Sequence, residues 1–221
     1  MELRMPVSAT ETVPSLLMKN ISREMLMGVE EALVAGAARA YGAAKVMDHG
    51  HQPSALGQLR HFHMNESFHR SLDVGGGSPS PIHGNQIVTG RAGVFTLARF
   101  NIKEGLWRNG RRSQTRKQMS MANAAIEPLV QRELFNEYVP PSDAVVFFVA
   151  CFSGSLAFRP EAPLSIQIAV PDRHMVGWLF REPLDQFLMR YDAKPTGAQE
   201  DLAMPKLKKN IRKQDMDGST P

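Results

Sequence analysis

Nine consecutive apolar residues, Ala144 to Phe152, constrain this chain more than any other feature of it. A run of that length falls well short of the about 20 residues that a membrane-spanning helix needs. Its Val, Phe and Ala content is typical of the central strand of a sheet. Leu164 to Val170 alternates as a half-buried strand should, and Val88 to Ile102 reads as a further strand with Val94, Phe95, Leu97 and Phe100 as its β-compatible bulk. Asn109-Gly110 is a turn signal of the kind that closes a hairpin.

Helical periods surround these strands. From Pro14 or Ser22 to Met47, small residues recur every four positions (Gly28, Ala32, Gly36, Ala40, Ala44), a stripe along which another helix can approach closely. Leu26, Val29, Leu33 and Ala37 flank the stripe, so we expect a core helix packed within the domain rather than a seam between chains. Pro53 to Leu72 forms a second helix, entered through Ser54, although Leu56, Leu59, Phe62, Met64 and Phe68 share no single face. Gly75 to Pro81 is a surface loop rich in Gly, Ser and Pro. Ser113 to Phe135 returns to a helical period through Met119, Ala122, Ile126, Val130 and Leu134, broken at Pro128. Trp178 to Tyr191 reads as a closing helix, with Pro183 near its start.

Together these elements predict an α+β single domain over residues 14–193. A small mixed sheet of three to five strands is covered on one face by N-terminal, central and C-terminal helices. Residues 1–13 form a flexible lead and residues 194–221 a basic, disordered tail. Hydrophobic residues at 43% and charged residues at 22% exclude a disordered or fibrous chain. The single cysteine, Cys151, lies inside the apolar run, which suits a buried thiol in a reducing compartment. The N-terminus lacks the charge-then-apolar order of a secretory signal, so a cytoplasmic protein with no membrane partner is expected.

Histidine makes the densest cluster of metal-ligating types. His49, His51, His61, His63 and His69 are five of the seven in the chain, with Asp48 and Glu66 among them. A helix puts His63 and Glu66 on neighbouring positions, whereas a strand points His61 and His63 the same way. His61, His63, Glu66 and His69 are therefore candidate ligands for a divalent metal, zinc, iron or manganese, set against a polar helix that happens to be rich in histidine. No other cofactor is expected.

Catalytic patterns are sparse. Ser153 lacks the flanking glycines of a serine elbow. Asp172, Arg173 and His174 follow a strand end, where a surface turn explains them as well as a site does. Gln167 stands where a metal-dependent nuclease would carry an acid, and no lysine follows it. The glycine-rich loop matches no phosphate-binding spacing. No catalytic residue is assigned.

Charge is more informative. The net +4 is mild, but Arg108, Arg111, Arg112, Arg116 and Lys117 place five cations in ten residues with no acid among them. Trp107 begins the run, and Gln114 belongs to a set of hydrogen-bonding side chains within it. A segment that passes from a turn into a helix start can meet phosphates with guanidinium forks and backbone amides. The alternative is a solvated basic face. Lys206, Lys208, Lys209, Arg212 and Lys213 repeat the pattern in the tail. Gln131, Leu134 and Phe135, in Gln-Arg-Glu-Leu-Phe, resemble the pentapeptide by which many bacterial DNA-metabolism proteins dock on the replication sliding clamp.

The leading expectation is a non-enzymatic, nucleic-acid-associated protein, with DNA as its partner and Arg108 to Lys117 as its contact surface. The alternatives are a metal-dependent enzyme built on His61, His63, Glu66 and His69, and a scaffold or homo-oligomer assembled through the Gly/Ala helix.

Overall fold

A computed structural model describes residues 12–130 and 141–192. Three α-helices lead: α1 (Val13–Asn20), α2 (Arg23–Ala44) and α3 (Gln52–Val74). The remaining elements are β1 (Thr89–Ala92), β2 (Phe95–Lys103), α4 (Gln114–Ser120), β3 (Ala144–Phe152), β4 (Ser165–Pro171), β5 (Trp178–Pro183) and α5 (Leu184–Asp192). The strands form one mixed sheet in sequence order, β1-β2-β3-β4-β5. Among the described strands only β2 and β3 run parallel, so residues 104–143 make a crossover connection, and the other pairs are antiparallel. No helix among the described residues is long and apolar enough to cross a membrane.

Local chemistry sets the helix ends. Thr12 caps α1 in a reciprocal box with Ser15, and Val13 is buried. The long N-terminal helix is two helices. The chain breaks at Ile21, and Ser22 accepts the Met25 amide at 3.2 Å to start α2. Tyr191 of α5 donates its hydroxyl to the Ile21 carbonyl at 2.7 Å, which fastens that break to the C-terminal helix. In α3 the first turn carries Pro53, and Ser54 lies inside the helix rather than at its cap.

Four expected elements differ. Val88 to Ile102 is a hairpin rather than one strand, because Gly93 turns at φ +54° beneath Asn20, whose Oδ1 accepts the Val94 amide. Asn109-Gly110 sits in a 3₁₀ helix, Trp107–Arg112, and closes no hairpin. Trp178 to Pro183 is the edge strand β5, paired with β4, and only the part after Pro183 is helical. Of the expected Ser113 to Phe135 helix, the described residues 113–130 are α-helical only in α4; Met121–Ala125 and Glu127–Leu129 are 3₁₀ turns.

The sheet is covered on both faces, not one. Phe95, Leu97, Val146, Phe148, Ile168 and Val170 pack with residues of α1, α2, α3 and α5. Ala98, Phe100, Val145, Phe147, Val149 and Ala169 face the other way, toward Trp107, Met119 and Met175. Every residue of β3 is therefore buried, which is what its unbroken apolar run requires.

Candidate nucleic-acid interface

The first part of the crossover, Trp107 to Met119, lies on the second face of the sheet, and its inner side is built to fit there. After β2 the chain turns at Gly105 (φ +76°) and winds into the Trp107–Arg112 3₁₀ helix. Trp107 is half-buried, edge-on to Trp178 of β5 at 5.2 Å between ring centres. Gly110 is buried over Phe100, to whose Cζ an added Cβ would come within 3.3 Å. Ser113 caps α4 by accepting the Arg116 amide. Asn123 is fully buried and bonds both β3 and β4.

Arg116 belongs to this inner side. Its Nε donates to the Gly110 carbonyl at 2.8 Å and its Nη2 to the Asn109 carbonyl at 3.3 Å, while its guanidinium lies 4.6 Å from the centre of the Phe100 ring. Burial pushes its pKa below the ordinary arginine value. It staples the 3₁₀ turn to the sheet, so of the five expected contact cations it is the one turned inward.

Arg108, Arg111, Arg112 and Lys117 are exposed, as is Gln114, and none of the four cations makes an ion pair or side-chain hydrogen bond among the described residues. No acid interrupts residues 105–126. Glu127, the next one, is held by Arg173, which donates to it from its backbone amide at 2.9 Å and from Nε at 2.7 Å. The Arg173 hydrogen bonds hold that carboxyl below its ordinary pKa. Arg181 of β5 brings a further guanidinium to the edge of the segment, 4.5 Å from the Trp107 ring centre. Trp178 and Arg181 had no signal in the sequence, because their strand reads as part of the following helix.

This division predicts a contrast in stability. Arg116→Ala is expected to cost about 1–2 kcal/mol through the lost charge-assisted bonds, a fall of roughly 3–6 °C in Tm for a domain of this size. Single alanines at Arg108, Arg111, Arg112 and Lys117 should stay within about 0.5 kcal/mol of the parent. Thermal unfolding followed by circular dichroism checks both.

The histidines do not assemble. α3 puts His61 and His63 on different sides: the His61 carbonyl accepts from Arg99 of β2, whereas the His63 carbonyl accepts from Arg39 of α2. His63 Nδ1 lies 3.6 Å from Glu66, and His69 joins no such pair. Among the described residues, no group of three or more His, Cys, Asp or Glu side chains comes together in a way that could hold a metal. Burial, with Arg99 nearby, lowers the His61 pKa.

The remaining candidates are local. Asp172 accepts the amides of His174, Val176 and Gly177, so Asp172 to His174 is a self-capped surface turn. Ser153 Oγ accepts the Ser155 amide. Gln131, Leu134 and Phe135, and the basic tail, lie outside the described residues. No protein-family model matches the chain, and no curated protein or solved structure is significantly similar to it.

Proposed function

We propose that the protein binds nucleic acid, with DNA as its partner, through the outer side of residues 107–117. Arg108, Arg111, Arg112 and Lys117 neutralise phosphates. Gln114 supplies a neutral hydrogen-bonding group, and Trp107 with Arg181 borders the surface.

The observation that carries this is the division of labour along one segment. Its inner side is fixed by Trp107, Gly110, Arg116 and Asn123, while the four outward cations have no acidic partner among the described residues. An exposed cation already paired with a carboxylate contributes little net charge to a phosphate; these four contribute all of theirs. A fixed backbone beneath them also limits the ordering that binding must impose. The sliding-clamp-like Gln131, Leu134 and Phe135 point to DNA in particular.

Fluorescence anisotropy with labelled duplex and single strands, at several salt concentrations, tests this. Binding should weaken steeply with salt, and changing Arg108, Arg111, Arg112 and Lys117 together to alanine should flatten the log-log slope by up to about 3.6, at about 0.9 per duplex phosphate. Absence of binding at micromolar protein in low salt, or an unchanged slope in the quadruple variant, would assign the run to a solvated face.

A further inference from the structure

The outer side of α2 lacks what a helix facing water carries. From Ala32 to Ala38 the sequence is Ala-Leu-Val-Ala-Gly-Ala-Ala, about two turns without one polar side chain. Leu33, Gly36 and Ala37 are buried, and Gly36 lies against the α3 backbone at Met64. Val34, Ala35 and Ala38 point the other way and are exposed, Val34 by 41%, as is Met27 about two turns earlier. A helix with one wet side carries polar residues there, whereas a helix apolar all round is covered all round.

The apolar surface continues onto α3. A groove of about 600 Å³ runs between the two helices, walled by Gly28, Ala32, Ala35 and Arg39 of α2 and by Ser71 and Val74 of α3. Val74 is 90% exposed. Two helices of 22 and 23 residues side by side, each about 33 Å long and about 10 Å across, present a face comparable with the roughly 800 Å² per partner that a stable dimer buries.

Charge on this side is sorted by position. Glu24 and Glu31 stand toward the start of α2, and Arg39 and Lys45 toward and just past its end. All four are exposed, and none makes an ion pair among the described residues. Arg39 reaches α3 through Nη2 alone. A second copy of α2 laid parallel sets acid against acid and cation against cation. An antiparallel copy sets each half against its opposite, and a twofold axis repeats the match on the other side.

We propose that this face is the interface of a homodimer, in which the α2 helices of two copies lie antiparallel about a twofold axis near Val34 and Ala35. Glu24 of each copy is then level with Lys45 of the other, and Glu31 is within one residue of the level of Arg39. Val34 is level with Ala35, so the larger side chain packs where the smaller one leaves room. The α2 and α3 helices of both copies form one layer between two sheets. Residues 107–117 lie across the sheet from that layer, so the dimer is independent of the nucleic-acid surface.

Sedimentation velocity of the full chain, from micromolar concentration upward, tests it. The mass should rise toward twice 24.5 kDa. Val34→Lys, at an exposed position, should keep the native circular dichroism and hold the mass at 24.5 kDa. Glu24→Lys and Lys45→Glu each create two like-charged pairs across the axis, and each should weaken the dimer about tenfold. The two together should restore it, because both pairs are opposite again with their signs exchanged. A mass of 24.5 kDa at every concentration overturns the proposal and gives the face to another part of this chain or to a different protein. A dimer that survives Val34→Lys overturns it too, as do single reversals without effect or a double reversal that recovers nothing.

Discussion

Asn123→Ala is expected to destabilise the protein by about 4 kcal/mol, since three buried backbone groups lose their partners at about 1–3 kcal/mol each. The side chain is fully buried. Its Oδ1 accepts the Val145 amide at 2.6 Å, and its Nδ2 donates to the carbonyls of Val145 at 3.1 Å and Pro171 at 2.7 Å. The position explains why an amide is needed. Pairing of β3 with β4 runs from Cys151↔Ser165 to Phe147↔Ala169, and two further steps in that register set Val145 opposite Pro171. Proline has no N–H to offer, so the ladder cannot continue. Asn123 completes it with a side-chain amide from the crossover.

A loss near 4 kcal/mol is a large share of the roughly 5–15 kcal/mol that holds a domain folded, and it should lower Tm by roughly 10 °C or more. Asn123→Asp keeps the acceptor but turns a negative oxygen toward two carbonyls. Its penalty should be greatest at neutral pH. Burial and repulsion raise the folded-state carboxyl pKa above the unfolded one, so the loss shrinks as pH falls and the group takes up a proton. Urea unfolding at neutral and acidic pH measures both effects. An Asn123→Ala loss under about 1 kcal/mol would mean that the crossover is not held by this amide.

That residue also marks where sequence reading stops. β3 is legible because nine apolar residues in a row suit a central strand, and β4 because it alternates. The segment after β2 has helix-compatible composition, yet most of it winds as 3₁₀. Asn123 there serves an amide and carbonyls whose positions are set by β3 and β4, one of them far along the chain, and Arg116 folds back onto the preceding 3₁₀ turn only because Phe100 of β2 lies beneath it. Local propensity carries no information about such partners. The same holds for β5: Leu184, Phe187 and Leu188 announce α5 correctly, but Trp178 to Phe180 join the sheet because Val170 and Pro171 are there to pair with them.

The candidate sites divide along the same line. That Arg108, Arg111, Arg112 and Lys117 form an acid-free run is visible in the sequence; that Arg116 turns inward is not, since its spacing differs in no way from theirs. The histidine cluster looked dense because five fall in a short stretch. Once α3 forms, a helical step of about 100° per residue sets His61 and His63 roughly 160° apart around the axis, and proximity in sequence ceases to be proximity in space.

The small-residue stripe of α2 gives a second large effect, and it separates two meanings of the same pattern. A Cβ at Gly36 would lie 2.8 Å from Met64 Cα and 2.9 Å from the His63 carbonyl oxygen, both backbone atoms of α3. Backbone cannot move aside as a side chain can, so Gly36→Val should force the helices apart and stretch the bonds that Arg39 makes across the seam to Ser67 at 2.7 Å and to the His63 carbonyl at 3.2 Å. Overpacking of this kind costs about 1–3 kcal/mol or somewhat more, and Tm should fall by roughly 5–10 °C. Gly36→Ala should fall by less, because alanine's better helix propensity returns about 1 kcal/mol. Gly42 lies in the same helix, exposed, with nothing within 4 Å of an added Cβ. There the propensity gain stands alone, and Gly42→Ala should raise Tm by a degree or more. Thermal unfolding with light scattering on each variant separates the cases. If Gly36→Val leaves Tm unchanged while the mass in solution falls, the stripe packs against a second chain, and the α2–α3 seam described above is not what holds these helices.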